Sequence, residues 1–65
     1  SVYFEVADKK LAEEILLDIS YIKNMKNLKH GFVLDICAQQ IPEIVSSLLA
    51  VNIPIYAVIP QKNNL

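Results

Sequence analysis

The chain has 65 residues, of which 54% are hydrophobic, and a formal net charge of −1 from six basic and seven acidic side chains. This length allows one domain with a thin core. The balanced charge gives no electrostatic footprint for nucleic acid, and no run of about eighteen apolar residues is present to span a membrane.

A single cysteine, Cys37, excludes an internal disulfide and a metal cage built from several cysteines. One free thiol suits a reducing, cytosolic compartment, and Cys37 is predicted to be a buried small hydrophobe. The N-terminus lacks the basic and apolar regions of a signal peptide. The chain begins inside a predicted strand, so we expect residues 1–65 to be one domain cut from a longer protein.

The first half of the chain predicts a strand, a helix and a second strand. Alternating apolar and polar side chains predict a strand over residues 2–7. Asp8 then fits an N-cap, and apolar residues at helical spacing predict a helix over residues 9–19, with Lys9 facing water. Lysines and asparagines dilute the apolar pattern of residues 21–28, as is typical of an edge strand.

The second half of the chain predicts a strand, a helix and a final strand. Lys29-His30-Gly31 predicts a turn, in which Gly31, the only glycine, can take a positive φ at no steric cost, and a strand follows over residues 32–37. Pro42 fits the first turn of the second helix, and Asn52 can end that helix in a left-handed conformation. Residues 53–59 predict the last strand, which has prolines at its margins.

The order β-α-β-β-α-β predicts an α+β fold, a ferredoxin-like sandwich. In it, a four-stranded antiparallel sheet carries both helices on one face and has the first and third strands at its centre. Strand alternation places six residues on the other face: Tyr3, Glu5, Val33, Asp35, Tyr56 and Val58. The apolar members are either scattered surface residues or a contact with an attached neighbouring domain or a second copy. The candidate interface residues are Tyr3, Val33, Tyr56 and Val58.

The residues that commonly carry out catalysis do not form a complete site in this sequence. His30 lies in the predicted turn with no ligand-type residue at metal-binding spacing, which is typical of a turn histidine. Ser46 and Ser47 lie within the second helix without a G-x-S-x-G elbow, and Glu13 and Glu14 point about 100° apart on the first helix. No phosphate-binding loop exists. We expect no catalytic, cofactor or metal site in this chain.

Three families of binding domain share this order of elements. An RNA-recognition motif needs aromatic residues on both central strands, whereas Lys29-His30-Gly31-Phe32-Val33 matches only a fragment of that pattern and the charge balance is wrong. A heavy-metal-associated domain needs C-x-x-C after its first strand, where this chain has Asp8-Lys9-Lys10. A small-molecule regulatory domain of the ACT type usually has a glycine in that loop. The absence of glycine there weakens this alternative but leaves it open.

Residues 41–60 read IPEIVSSLLAVNIPIYAVIP. This run closely resembles the accessory region that follows the nucleotide-binding domain in many bacterial ABC transporter ATPases, roughly I-P-E-[IL]-V-x-x-L-[LV]-x-x-G-I-x-[IV]-[YF]-x-V-x-P. Leu65 would then open the acidic-aromatic segment L-E-[DE]-x-[FY] of that family. Asn52 and Pro54 stand where the family commonly has glycine and a polar residue.

The resemblance implies a non-catalytic C-terminal accessory domain that assists assembly or regulation of ATP-driven solute export. The Walker motifs, and with them ATP and Mg²⁺, would belong to the parent chain before Ser1. The implied partners are the ATPase domain of the parent chain, its dimer mate and, indirectly, the membrane permease subunits; a homodimer is a further option. The implied location is cytoplasmic, at the inner face of the cell membrane. An ACT-like module that binds a small molecule is the alternative.

Overall fold

The computed structural model describes residues 1–61, and Leu65 of the resemblance lies outside them. The apolar periodicities of the sequence become four strands and two α-helices. In chain order the elements are β1 (Val2–Val6), α1 (Lys9–Leu17), β2 (Met25–Asn27), β3 (Gly31–Leu34), a short 3-10 helix (Ala38–Gln40), α2 (Ile41–Ala50) and β4 (Ile55–Pro60). No helix among the described residues is long and apolar enough to cross a membrane.

The four strands form one antiparallel sheet in the order β2-β3-β1-β4. The first and third strands are therefore central, and the ferredoxin-like βαββαβ arrangement predicted from the order of elements is confirmed. This order follows from two crossovers: each helix carries the chain past a neighbouring strand before the next strand is added.

One hydrophobic core joins both helices to a single face of the sheet. Phe4 of β1 and Phe32 of β3 are paired across the centre of the sheet and are completely buried. The buried hydrophobic residues among residues 1–61 are Val2, Phe4, Val6, Ala12, Leu16, Phe32, Leu34, Ile36, Ile44, Leu48 and Ile53. Burying a side chain of this size stabilises a fold by roughly 1.5–3 kcal/mol relative to exposure. Both helices therefore lie on the same face of the sheet.

Helix α1 begins as the sequence predicts and ends earlier. The Asp8 carboxylate accepts a hydrogen bond from the Leu11 amide at 3.2 Å, which confirms the N-cap. The helix ends at Leu17 because the amides of Asp18 and Ile19 bond back to carbonyls three residues earlier, which tightens the chain into a turn. Ile19 nevertheless packs against the core.

Helix α2 has both of its predicted end signals. Pro42 lies in the first turn, where its missing N–H has no helical partner to lose. Asn52 has φ 60°, its amide donates to the Leu49 carbonyl at 2.9 Å, and the Ile53 amide donates to the Leu48 carbonyl at 3.1 Å. These two bonds form a Schellman motif, and the burial of Ile53 and Leu48 supplies its apolar contact.

Three predictions for the middle of the chain are wrong in extent or reason. Strand β2 has three residues rather than the eight of residues 21–28, because the Ile22 amide bonds back to the Ile19 carbonyl in a turn.

Gly31 does not have a positive φ. A Cβ atom there would lie 1.9 Å from the Phe4 carbonyl oxygen, so the glycine allows β3 to approach β1 closely. Lys9 does not simply face water, since its ammonium contacts the Leu28 carbonyl and lies 5.1 Å from the centre of the Phe32 ring.

The segment after β3 also differs from the prediction. The strand ends at Leu34 instead of residue 37, and Cys37 is exposed rather than buried. The chain turns away from the sheet there into the 3-10 helix, and the Cys37 amide donates to the Gln40 side chain at 2.8 Å. Strand β4 begins at Ile55 because Ile53 still belongs to the end of α2.

Candidate functional site

The face of the sheet opposite the helices carries the candidate interface. Side chains of directly paired residues in an antiparallel sheet lie on the same face. Tyr3 pairs with Val33 on one side and with Ile59 on the other, and Val33 pairs in turn with Lys26. The next row contains Glu5 and its partner Ala57. We call the surface of Tyr3, Glu5, Lys26, Val33, Ala57 and Ile59 the open sheet face.

The centre of the open sheet face is apolar and continuous across three strands. Val33, Tyr3 and Ile59 stand side by side, and Ile59 is 51% exposed. Lys26 on β2 and Glu5 on β1 place one charge of each sign beside this row. The row therefore forms an apolar patch with one charged side chain of each sign beside it.

The Tyr3 hydroxyl is held on this face by Glu5. It donates a hydrogen bond to Glu5 Oε1 at 3.2 Å. Partial burial raises the pKa of Tyr3 above its ordinary value, and the hydrogen bond and negative charge of Glu5 raise it further. The phenol therefore stays neutral at physiological pH.

The structure brings together two of the four predicted interface residues. Tyr3 and Val33 are direct cross-strand partners. Val58 instead pairs with Phe4 and packs against the core, so its predicted place on the open sheet face is wrong. The cause is a β-bulge: Glu5 pairs with Ala57 whereas the next residue, Val6, pairs with Ile55.

The bulge leaves Tyr56 as the extra residue of β4, 65% exposed. Because side chains alternate with a period of two, one extra residue moves every later side chain of β4 to the face opposite the one expected. Ala57 and Ile59 therefore take the places predicted for Tyr56 and Val58. No residue pattern marks this bulge, so the sequence alone could not have identified Ile59.

A shallow groove lies along β2 at the edge of the same surface. It has a volume of about 590 Å³ and is lined by Ser1, Lys23, Asn24, Met25, Lys26, Val33 and Asp35. The groove is open to solvent and combines two ammonium groups with one carboxylate. Such a lining suits a small zwitterion or the polar rim of a protein contact.

The residues considered for catalysis are dispersed in the structure. His30 is exposed in the turn before β3, and its carbonyl accepts a hydrogen bond from the Val6 amide at 3.3 Å. The Ser47 hydroxyl donates to the Glu43 carbonyl one turn earlier in α2. Within residues 1–61, no three His, Cys, Asp or Glu side chains come together as a metal-binding group.

These features define a class of protein: a two-layer α+β domain with a ferredoxin-like sheet, one covered face and one open face. Comparisons with protein-family models, with curated proteins and with solved structures each find no match for this chain.

Proposed function

We propose that this chain is a non-catalytic accessory domain of an ABC transporter ATPase, and that its open sheet face docks on the ATPase body of the parent chain or on the dimer mate. The observation that carries the proposal is the apolar row Val33–Tyr3–Ile59. The resemblance of residues 41–60 to the accessory region of these ATPases supports this choice of partner.

In this proposal the chain contributes to assembly or regulation, and the chemistry belongs to the parent. ATP and Mg²⁺ are held by the ATPase domain, and solute export proceeds through separate permease subunits. The domain acts at the cytoplasmic side of the cell membrane. The apolar row supplies contact area on desolvation, while Lys26 and Glu5 at its margins favour one orientation of docking.

The first test replaces the centre of the apolar row in the complete ATPase. Val33→Lys places a charge in the docked surface, whereas Leu17→Lys alters a side chain of α1 that is 62% exposed and lies on a different surface. Loss of a central contact costs more than about 1 kcal/mol, so we expect dimerisation or the rate of ATP hydrolysis to change by about fivefold in the first variant only.

Deletion of the domain is the complementary experiment. The proposal is wrong if the ATPase without these residues hydrolyses ATP and dimerises as the complete protein does. The sequence of the parent chain gives an independent check, since a Walker A loop is expected within about three hundred residues before Ser1.

The groove along β2 favours a second candidate, an ACT-like module that binds an amino acid. Lys23 or Lys26 would bind the ligand carboxylate, and Asp35 would bind its ammonium group. A ligand that binds only the folded state, present at about a hundred times its dissociation constant, stabilises that state by roughly 2.7 kcal/mol. A thermal-shift screen should then show a rise of several degrees with one amino acid, and an equal response in Asp35→Ala would exclude this site.

A further inference from the structure

Strand β4 forms one edge of the sheet, and no described element pairs with its outer side. Natural edge strands are usually protected from pairing by charged residues, by shortness or by proline. The opposite edge, β2, has three residues and is lined by Lys23 and Lys26. Strand β4 has six residues, none of them charged; its protection is confined to the bulge at Tyr56 and to Pro60 at its end, which leaves Ala57, Val58 and Ile59 between them. The β4 edge is therefore longer than the β2 edge and carries no charge.

The hydrogen-bonding groups at the β4 edge can be assigned from the ladder. The Gln61 amide donates to the Ser1 carbonyl at 2.8 Å. Hydrogen-bonded and non-hydrogen-bonded pairs alternate along an antiparallel ladder, so Pro60 and Val58 occupy non-hydrogen-bonded positions opposite β1. Val58 therefore directs both its N–H and its carbonyl away from β1, towards the open edge. Pro60 directs only its carbonyl towards that edge, because proline has no N–H.

We propose that β4 is a self-pairing edge that joins two copies of this chain antiparallel about a two-fold axis at Val58. The axis lets Val58 of each copy exchange N–H···O bonds with Val58 of the other. It places Ile59 of one copy beside Ala57 of the other on the open sheet face, a large side chain against a small one. Pro60 stands opposite Tyr56 of the second copy, where its missing N–H leaves one position of the ladder unpaired.

The absence of charge on β4 favours a second copy at this edge, because two identical charged strands would repel each other. An antiparallel pair of β4 strands brings no like charges together, because Ile55–Pro60 contains no charged residue. Pairing of β2 with β2 would bring lysines of the two copies together. The contact is small and consists of one strand on each side, so we expect a weak dimer, with a dissociation constant of about 10 µM to 1 mM.

The inference does not rest on attachment to an ATPase, because the 65-residue chain is tested alone. Sedimentation equilibrium over a concentration series up to about 1 mM should show a monomer–dimer equilibrium. Ile59→Lys should weaken association by at least about tenfold, since two lysines would lie near the axis. The matched control Leu49→Lys alters a side chain of α2 with similar exposure, 54% against 51%, and should associate like the parent chain.

A second variant is designed to strengthen the dimer instead of weakening it. Pro60→Val restores an N–H on the outer side of β4 without removing a bond to β1. Two additional hydrogen bonds in the dimer, one in each direction, should tighten association by about tenfold. Circular dichroism of each variant confirms that the fold is retained.

Hydrogen exchange distinguishes this edge from other surfaces. The Val58 amide is unbonded in the monomer, so its protection from exchange should increase with protein concentration. A chain that stays monomeric at about 1 mM, equal association of the two lysine variants, or a Val58 amide indifferent to concentration would each overturn the inference. Val33→Lys, which tests docking on the ATPase, lies on β3 and should leave this equilibrium unchanged.

Discussion

At the scale of single residues, Gly31 is required because the backbone of the neighbouring strand β1 leaves no room for a side chain. A Cβ atom at this position would lie 1.9 Å from the Phe4 carbonyl oxygen and 2.9 Å from the Glu5 Cα atom, and both are backbone atoms that cannot rotate away. Relief requires β1 and β3, the two central strands, to separate. The position therefore tolerates only glycine, for a reason unrelated to a turn.

Gly31→Ala is expected to lower the free energy of unfolding by about 2–4 kcal/mol, because the sheet must open at its centre. Urea denaturation measures the change, and the exposed Ser20→Ala is the control, with an expected effect within about 0.5 kcal/mol. A loss below about 0.5 kcal/mol for the alanine variant would show that the strands separate easily.

At the scale of elements, each helix is delimited by a single polar residue. Asp8 caps the start of α1, and Asn52 reverses the chain after α2 at φ 60°. A left-handed conformation costs an ordinary L-residue roughly 1–2 kcal/mol, and glycine pays no such penalty. The cost of this conformation for asparagine lies between those for glycine and for an ordinary residue, because its short amide side chain can hydrogen-bond to the local backbone.

The melting temperatures of variants at position 52 should therefore follow how easily the new residue adopts the left-handed conformation. Asn52→Gly is expected to preserve or slightly raise the melting temperature, while Asn52→Val should lower it by about 4–8 °C or more, corresponding to about 1–2 kcal/mol. The side chain is exposed, so lost packing does not explain the difference. Equal melting temperatures for the two variants would contradict the role of Asn52 in ending the helix.

At the scale of the whole molecule, two tyrosines couple stability to alkaline pH. Burial is the largest cause that raises the pKa of Tyr21, whose hydroxyl is buried without a hydrogen-bond partner among the described residues; the nearby Glu43 carboxylate adds to the effect. The pKa of Tyr3 is raised in the same direction. The folded state therefore holds its phenolic protons at pH values where the unfolded chain has begun to lose them.

The sign of the linkage follows from these directions. The stabilisation is fully present below the ordinary tyrosine pKa of 10.0 and is lost as the pH rises through the raised values. Denaturant unfolding measured from pH 8 to pH 11 should show a decline in stability at the alkaline end. In the double variant Tyr3→Phe, Tyr21→Phe the decline should be smaller, and an undiminished decline would assign it to other groups.

The sequence predicted the helices and the sheet face that they cover better than it predicted the open sheet face. Apolar spacing identified the buried faces of both helices and of β1, because burial imposes a period of 3.6 or 2 on the residues. Asp8 and Asn52 were recognised because caps need particular side chains. The bulge at Tyr56 escaped prediction because it is set by the pairing of two strands distant in sequence, and no local residue requires it.

The same reason explains the outcome for the candidate interface. Tyr3 and Val33 were placed correctly since they lie on central strands with uninterrupted alternation. Val58 was misplaced since it follows the bulge, and Ile59 was missed for the same reason. The exposure of Cys37 depends on where β3 stops, which the apolar pattern of residues 32–37 did not indicate.

The inequality of the two sheet edges limits how far assembly can proceed. A sheet in which both edge strands can pair adds copies without limit and grows into a fibre. A sheet in which only one edge strand can pair binds a single further copy. If β4 pairs two copies as proposed, the short, lysine-lined β2 would end growth on its side, and association would stop at two copies. Removal of the β2 lysines would then convert a closed pair into an open polymer, which makes this edge a safeguard against aggregation.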